Sequence, residues 1–260
     1  MGSDALTDTR FVGYRRKLIE NIRNLGVQDL ETLQIFDQVP RHIFLPEGVW
    51  PRAYEDAPIP IGYSQTASQP SLQAYYLSLL KPVATEKVLE IGTGSGSLTT
   101  FVASIVSPRG HVDTFDVEDK FMIIAKKNIE KAGMSKYVTM HKQDLKVARK
   151  MPVSDVDMVI IDLGDPWTVI PQARKMLKGS GFVVAICPTM NQLEKISSAF
   201  VANQFSDIDC TEHILRHIEA REGKTRHSYR GIGHTTYIAI ARKVFFDKDR
   251  IKKRVKKDVK

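Results

Sequence analysis

Short apolar runs alternate with longer amphipathic stretches through most of this chain. The runs at 87–91, 112–116, 137–141, 156–161 and 181–187 predict strands, and the stretches at 97–107, 119–132, 168–177 and 190–202 predict helices. Such alternation builds a parallel sheet with helices on both faces. Two further runs, 209–217 and 234–243, have no clear helix between them and predict an antiparallel hairpin at the sheet edge. Before the sheet, Leu18, Ile22 and Leu25 recur at helical spacing, and Leu30, Leu33, Ile35 and Phe36 form a second apolar face, so residues 10–45 read as helical. Pro40, Pro46 and Pro51 break that pattern, and 46–71 reads as loop, rich in Pro, Gly, Ser and Thr. A helix is expected from Pro70 to Leu80, with the proline in its first turn. No internal repeat is visible.

Composition narrows the class. The 260 residues, 42% apolar, suit one sizeable domain or a domain with an appendage. No run approaches the ~20 apolar residues of a membrane span. Met1 to Arg10 is polar and acidic, without a signal-peptide pattern. Cys187 and Cys210 make neither a disulfide framework nor a zinc cluster, and no His/Cys/Asp group has ligand spacing, so no metal is expected. A cytoplasmic protein is the simple reading. The net charge is +8, and the tail from Phe245 to Lys260 holds eight Lys or Arg against three Asp. A basic excess favours polyanions such as nucleic acid; a solvated tail that only aids solubility is the alternative.

Candidate chemistry centres on Val88-Leu89-Glu90-Ile91-Gly92-Thr93-Gly94-Ser95-Gly96. Glycine lets the backbone turn sharply and approach a ligand that a Cβ would exclude. A strand entering such a turn before a helix makes a nucleotide-type pocket; a plain strand-to-helix turn is the alternative. The pattern E-x-G-x-G-x-G resembles motif I of class I S-adenosylmethionine (SAM) methyltransferases. That resemblance implies SAM as cofactor, held by Glu90, Gly92, Thr93, Gly94, Ser95 and Gly96, in a Rossmann-like α/β fold with a seven-stranded, mostly parallel sheet. Asp116 ends the second strand candidate, where an acid commonly accepts hydrogen bonds from ribose hydroxyls; a surface Asp opening the next helix competes. Asp144 follows the third, near the adenine of SAM in this fold, with a loop Asp capping a helix as competitor.

The fourth strand candidate ends in Ile161-Asp162-Leu163-Gly164-Asp165-Pro166-Trp167. Asp162 places a carboxylate at the mouth of the sheet, Pro166 stiffens the loop, and Trp167 offers a wall for a flat ring. This loop resembles that of tRNA (adenine-N1)-methyltransferases acting on the T-loop. Arg216-His217-Ile218-Glu219-Ala220-Arg221, Gly233-His234-Thr235-Thr236-Tyr237 and Ala241-Arg242-Lys243 resemble that family's closing segments. The resemblance implies a tRNA substrate, contacts from Arg221 and His234, and a homotetramer. His234 reads more readily as a structural histidine than as a base.

The N-terminal third resembles another family. Val39-Pro40-Arg41-His42-Ile43-Phe44-Leu45-Pro46, Ala53-Tyr54-Glu55-Asp56 and Pro60-Ile61-Gly62-Tyr63-Ser64-Gln65-Thr66-Ala67-Ser68-Gln69-Pro70 are similar to protein-L-isoaspartate O-methyltransferases. There the Gln-Thr-x-Ser loop covers the cofactor and touches substrate, which implies cofactor contacts from Gln65 and Thr66 and substrate contacts from Ser68 and Gln69. The adenine-N1 family begins instead with a small β-rich domain, and no such domain is recognised in this sequence. That family also has Tyr or His, Pro, Lys, Asp where this chain has Gln69, Pro70, Ser71, Leu72.

Only substrate-side residues separate the two families. An isoaspartyl substrate is a carboxylate, already nucleophilic and in need of no base. Asp162 would repel it by ~4 kcal/mol for unit charges 4 Å apart at an effective dielectric of 20. Adenine N1 is a weak nucleophile, and a carboxylate accepting from the N6 amino group pushes electron density toward it and stabilises the cationic product. The expectation is therefore a tRNA adenine-N1 methyltransferase with Asp162 as its catalytic residue, isoaspartyl methylation being the alternative and a non-catalytic tRNA-binding subunit a third. Phosphate contacts are expected from Arg15, Arg16, Lys17, the 221–230 loop and the tail. The layout is an N-terminal helical extension with a substrate-side loop over 1–70, the methyltransferase domain over 71–245 and the basic tail over 246–260.

Overall fold

The structure, a computed structural model, describes residues 8–63, 65–212, 218–219, 221–227 and 236–244. The N-terminal segment carries α1 (Val12–Asn24) and α2 (Leu30–Gln38), then short 3-10 turns at Arg41–Phe44 and Glu47–Arg52. A hairpin of β1 (Ile59–Gly62) and β2 (Gln65–Ala67) leads to α3 (Pro70–Leu80). The alternating part follows: β3 (Lys87–Ile91), α4 (Ser97–Val106), β4 (His111–Asp116), α5 (Asp119–Lys131), β5 (Val138–Lys142), β6 (Val156–Ile161), α6 (Ile170–Met176), β7 (Leu177–Cys187), α7 (Met190–Ala202) and β8 (Phe205–Glu212). A two-residue pair, β9 (Ile218–Glu219) with β10 (Arg226–His227), precedes β11 (Tyr237–Lys243).

Seven strands form one sheet in the order β5-β4-β3-β6-β7-β11-β8. The first five are mutually parallel, and β11 runs antiparallel to both β7 and β8. The expected edge hairpin is present, with its closing strand inserted between its partner and the parallel strands. Leu89, Val159, Ile161, Val183 and Ala185 face one core with α6, α7 and Leu145; Val88, Met158, Ile160 and Val184 face the other with α1 to α4. Burial on both faces explains why these strands read as nearly continuous apolar runs. The chain runs outward from β3 through β4 to β5, then returns to β6 on the other side of β3. The carboxyl ends of β3 and β6 are therefore the topological switch point, where doubly wound sheets bind ligands.

Three segments depart from the sequence expectation. The stretch 46–71, expected as loop, contains the β1–β2 hairpin. Its strands are short, one carries Pro60, and Gln65 and Thr66 are exposed, so no period-2 pattern could show. Ile59 and Ala67 nevertheless bury against Leu45 and Ala53 in a small separate cluster. The expected helix 168–177 is a 3-10 turn, Pro166–Val169, followed by the shorter α6. Strand β7 begins at Leu177 instead of 181, because Gly179-Ser180-Gly181 reads as a turn but is absorbed as a bulge. Val156 pairs with Leu177, and two residues later Met158 pairs with Phe182.

One buried cation organises the N-terminal wrap. The Arg41 guanidinium donates to the carbonyls of Ala53 (2.8 Å), Glu55 (3.1 Å), Ala57 (3.1 Å) and Ser68 (2.9 Å). Burial pulls its pKa down to about 10, against the opposing pull of Asp56, so it stays charged at neutral pH. Asp56 ties the next turn: it accepts from the amide of Ser71 (2.8 Å) and from Gln69 Nε2 (3.2 Å).

Candidate active site

The glycine turn after β3 is built for close approach. Gly92, Gly94 and Gly96 all have positive φ, at 104°, 52° and 78°. A Cβ on Gly92 would overlap the Asp162 carbonyl, while one on Gly94 would meet nothing within 4 Å. Gly92 thus serves packing against β6, and Gly94 borders open space. The amides of Gly92 (2.9 Å) and Thr93 (3.2 Å) donate to Phe115 O, and that of Asp162 donates to Ile91 O (2.9 Å). These bonds draw the ends of β3, β4 and β6 together.

Glu90 is buried beneath the turn. Its Oε2 accepts from the hydroxyls of Thr99 and Thr114, the latter at 2.6 Å, and Thr114 also bonds Thr93 Oγ1 at 2.7 Å. Its Oε1 is buried with no hydrogen-bond partner. Burial pushes the carboxyl up to about 8; the two threonine hydroxyls oppose the rise, and the charges of Asp162 and Asp116 add to it. Asp116 accepts from the Gly94 amide (3.1 Å) on one oxygen and from the Glu118 amide (3.0 Å) on the other.

Asp162 follows β6 and is partly buried, and burial raises its carboxyl to about 6. Tyr76 of α3 is fully buried nearby. Burial, with the charges of Asp162 and Glu90 adding, holds its phenol well above the ordinary value and therefore protonated. The loop after Asp162 is clasped from both sides. Lys146 pairs with Asp165 at 2.8 Å, Gln192 Nε2 donates to Gly164 O at 2.8 Å, and Lys195 lies 4.5 Å above the Trp167 ring. Pro166 is buried, and Trp167 packs against the core formed with α6 and α7.

The remaining expected residues divide. Gln65 and Thr66 stand exposed on β2, and Ser95 is buried in the glycine turn. Ser68 gives its carbonyl to Arg41, and Gln69 is spent on Asp56 and Ser71 Oγ (3.0 Å). Asp144 is exposed and accepts from the Lys146 amide two residues on at 2.8 Å, inside a turn that no helix follows. Arg221 lies exposed in the turn before β10, and Arg15 is paired with Asp37 at 3.2 Å. His234, residues 228–230 of the basic loop and the tail 246–260 lie outside the described residues. The sequence reading missed Tyr76, Thr99, Thr114, Arg41 and Lys195. Arg41 alone left a signal, a charge in the apolar stretch Val39–Leu45.

Known proteins bear on the same site. The model of the family Protein-L-isoaspartate(D-aspartate) O-methyltransferase matches residues 14–197, well over half of the chain. The chain belongs to that family. Within this methyltransferase family, a Methanopyrus kandleri protein-L-isoaspartate O-methyltransferase is 34% identical over 178 residues, 68% of this chain and 78% of that protein. The chain is also 34% identical over 181 residues to the tRNA (adenine(57)-N(1)/adenine(58)-N(1))-methyltransferase TrmI of Methanocaldococcus jannaschii. That alignment covers 60% of this chain and 64% of the relative, so it spans less than two thirds of that enzyme's length. The crystal structure of the tRNA (m1A58) methyltransferase TrmI from Aquifex aeolicus superposes with a TM-score of 0.60 at 26% identity, over 71% of this chain and 73% of that one. The methyltransferase fold is class I and its cofactor is S-adenosylmethionine. The site fits that cationic cofactor: Gly94 leaves room for it, and Glu90 presents an unpartnered carboxyl oxygen. Among the described residues no group of His, Cys, Asp or Glu could hold a metal ion, and no helix is long and apolar enough to cross a membrane.

Proposed function

We propose that this SAM-dependent methyltransferase methylates N1 of adenine in the T-loop of tRNA. The observation that carries the reading is Asp162, a carboxylate held at the switch point by the Ile91 carbonyl and the close packing of Gly92. Its proton affinity, raised to about 6 by burial, makes it a strong hydrogen-bond acceptor that is still ionised at neutral pH. It would accept a hydrogen bond from the adenine N6 amino group, raise electron density at N1 and stabilise the positive charge that N1 acquires.

When bound, S-adenosylmethionine supplies the electrophilic methyl group. The Gly92–Gly96 turn and Asp116 would hold it, with Glu90 beneath. Tyr76, kept protonated by burial and by the charges of Asp162 and Glu90, adds no further negative charge to the site. Alignment of the two reactants supplies much of the rate. The net charge of +8 fits a polyanionic substrate. The same reading carries the expected homotetramer, which the mass of the native protein in solution checks.

Isoaspartyl methylation is the second reading, favoured by the family match and by the hairpin that presents Gln65 and Thr66, with Ser68 just after it. The test is methyl transfer from labelled SAM to an unmodified tRNA transcript and to an isoaspartyl peptide, side by side. Label released from tRNA as 1-methyladenine supports the proposal; base-labile label in the peptide alone overturns it.

A further inference from the structure

Two cation-bearing segments grip the loop that follows Asp162, from opposite sides. The crossover between β5 and β6 brings Lys146, Arg149 and Lys150, all exposed, and is fastened by the Lys146–Asp165 pair and by Gln172 Nε2 on Lys146 O at 3.3 Å. Leu145 seats this crossover in the core beside α6. On the other side α7 brings exposed Lys195 over Trp167, and the capping box of Thr189 with Gln192 fixes where α7 begins. Arg149 and Lys150 form no ion pair among the described residues, so their charge is not spent within the fold. Nearby acids are few: Asp165 is neutralised by Lys146, while Asp144 and Glu194 are exposed. Two strongly exposed apolar side chains sit among these cations, Val147 (76%) and Met190 (61%).

We propose that Arg149, Lys150 and Lys195 form a phosphate-gripping rim for RNA around the mouth of the active site, with Lys146 fastening the crossover that carries the first two. The inference rests on the tRNA reading above and assigns it a surface. A base taken out of a folded RNA leaves its flanking phosphates spanning the pocket mouth, and cations on both sides of the loop meet that need. Val147 and Met190 give flat apolar ground for neighbouring bases or riboses. Trp167, with one face under Lys195 and its body against the core, is the support on which Lys195 is held out to solvent. Lys195, seated over the Trp167 ring, would meet phosphate and not the reacting atoms. The rim is a different surface from the α1 cations, of which Arg15 is already taken by Asp37.

The test uses the full chain and an unmodified tRNA transcript, with affinity measured across a salt series. Each lost phosphate contact removes about 0.7–0.9 from the slope of log affinity against log salt. The Arg149→Gln/Lys150→Gln double variant should flatten the slope by about 1–2 and weaken low-salt binding roughly tenfold. Lys195→Gln should flatten it by about 1, and Lys195→Arg should restore it. SAM affinity and the thermal midpoint should stay at wild-type values in all three. Wild-type slopes in the Gln variants, with the wild-type enzyme binding and methylating tRNA, overturn the rim and leave the tRNA reading intact. A wild-type enzyme that neither binds nor methylates tRNA overturns both.

Discussion

A methyl group on Gly92 would overlap the carbonyl of Asp162. The cofactor turn and the candidate catalytic acid are therefore one packing unit. Gly92→Ala must move β3 and β6 apart or twist the turn, and its φ of 104° is hostile to any side chain. The variant should lose about 2–4 kcal/mol of stability and bind SAM at least tenfold more weakly. Chemical denaturation and titration with SAM check both.

Asp162→Asn keeps the shape of the loop and removes its charge. Loss of one preorganised electrostatic group costs about 10²–10³ in kcat. SAM affinity should change less than threefold, since the amide of residue 162 still bonds Ile91. Single-turnover methylation of tRNA measures the first expectation, and equilibrium binding the second.

The pH profile follows from the same group. Protonation of Asp162, whose pKa burial raises to about 6, removes the negative charge that activates N1. The rate with tRNA should fall about tenfold per pH unit below 6 and level off above 7. Asp162→Asn should lack that limb. A limb that persists in the variant assigns the titration to another group.

Glu90 makes stability depend on pH in the opposite sense from a paired carboxylate. Its folded pKa, about 8, lies above an unfolded value near about 4.3, so the folded state holds the extra proton between them. Unfolding free energy should therefore fall as pH rises from about 4.3 to 8, and the full penalty is present above that. Glu90→Gln keeps an acceptor for Thr99 and Thr114 and should flatten this decline. Thermal midpoints of both proteins from pH 5 to 9 give the comparison.

Arg41→Leu removes the donor shared by four carbonyls around the N-terminal wrap. Each buried acceptor left without a partner costs about 1–3 kcal/mol, softened where water reaches it. Hydrogen exchange should speed up across 53–69 first, while β3, β4 and β6 keep their protection.

The middle of the sheet was legible because β3, β6 and the second half of β7 are buried on both faces and the helices on one. That contrast writes different periods into the chain. Glu90, Gly92 and Asp162 stood out as chemistry interrupting apolar runs, and the fold brings them together. The hairpin at 59–67 was not legible, because its order comes from Arg41 and from a four-residue cluster, neither of which repeats along the chain. Tyr76 was hidden for a related reason. It lies in a helix apolar on most sides, and only the tertiary fold sets its phenol beside two acids. Gln69 carries a structural tie that its motif position did not announce: its amide donates to Asp56 and Ser71.

The unpartnered oxygen of Glu90 has a consequence for ligand uptake. A carboxyl with a pKa of about 8 is mostly protonated at pH 7, yet it lies under a turn suited to a cation. Arrival of positive charge lowers that proton affinity, so binding and deprotonation are linked. Uptake of SAM should then release a fraction of a proton, and its apparent calorimetric heat should vary with the ionisation enthalpy of the buffer. The demethylated product, which has lost the sulfonium charge, should release less. The enzyme would tell spent cofactor from fresh partly by how readily one buried acid gives up its proton.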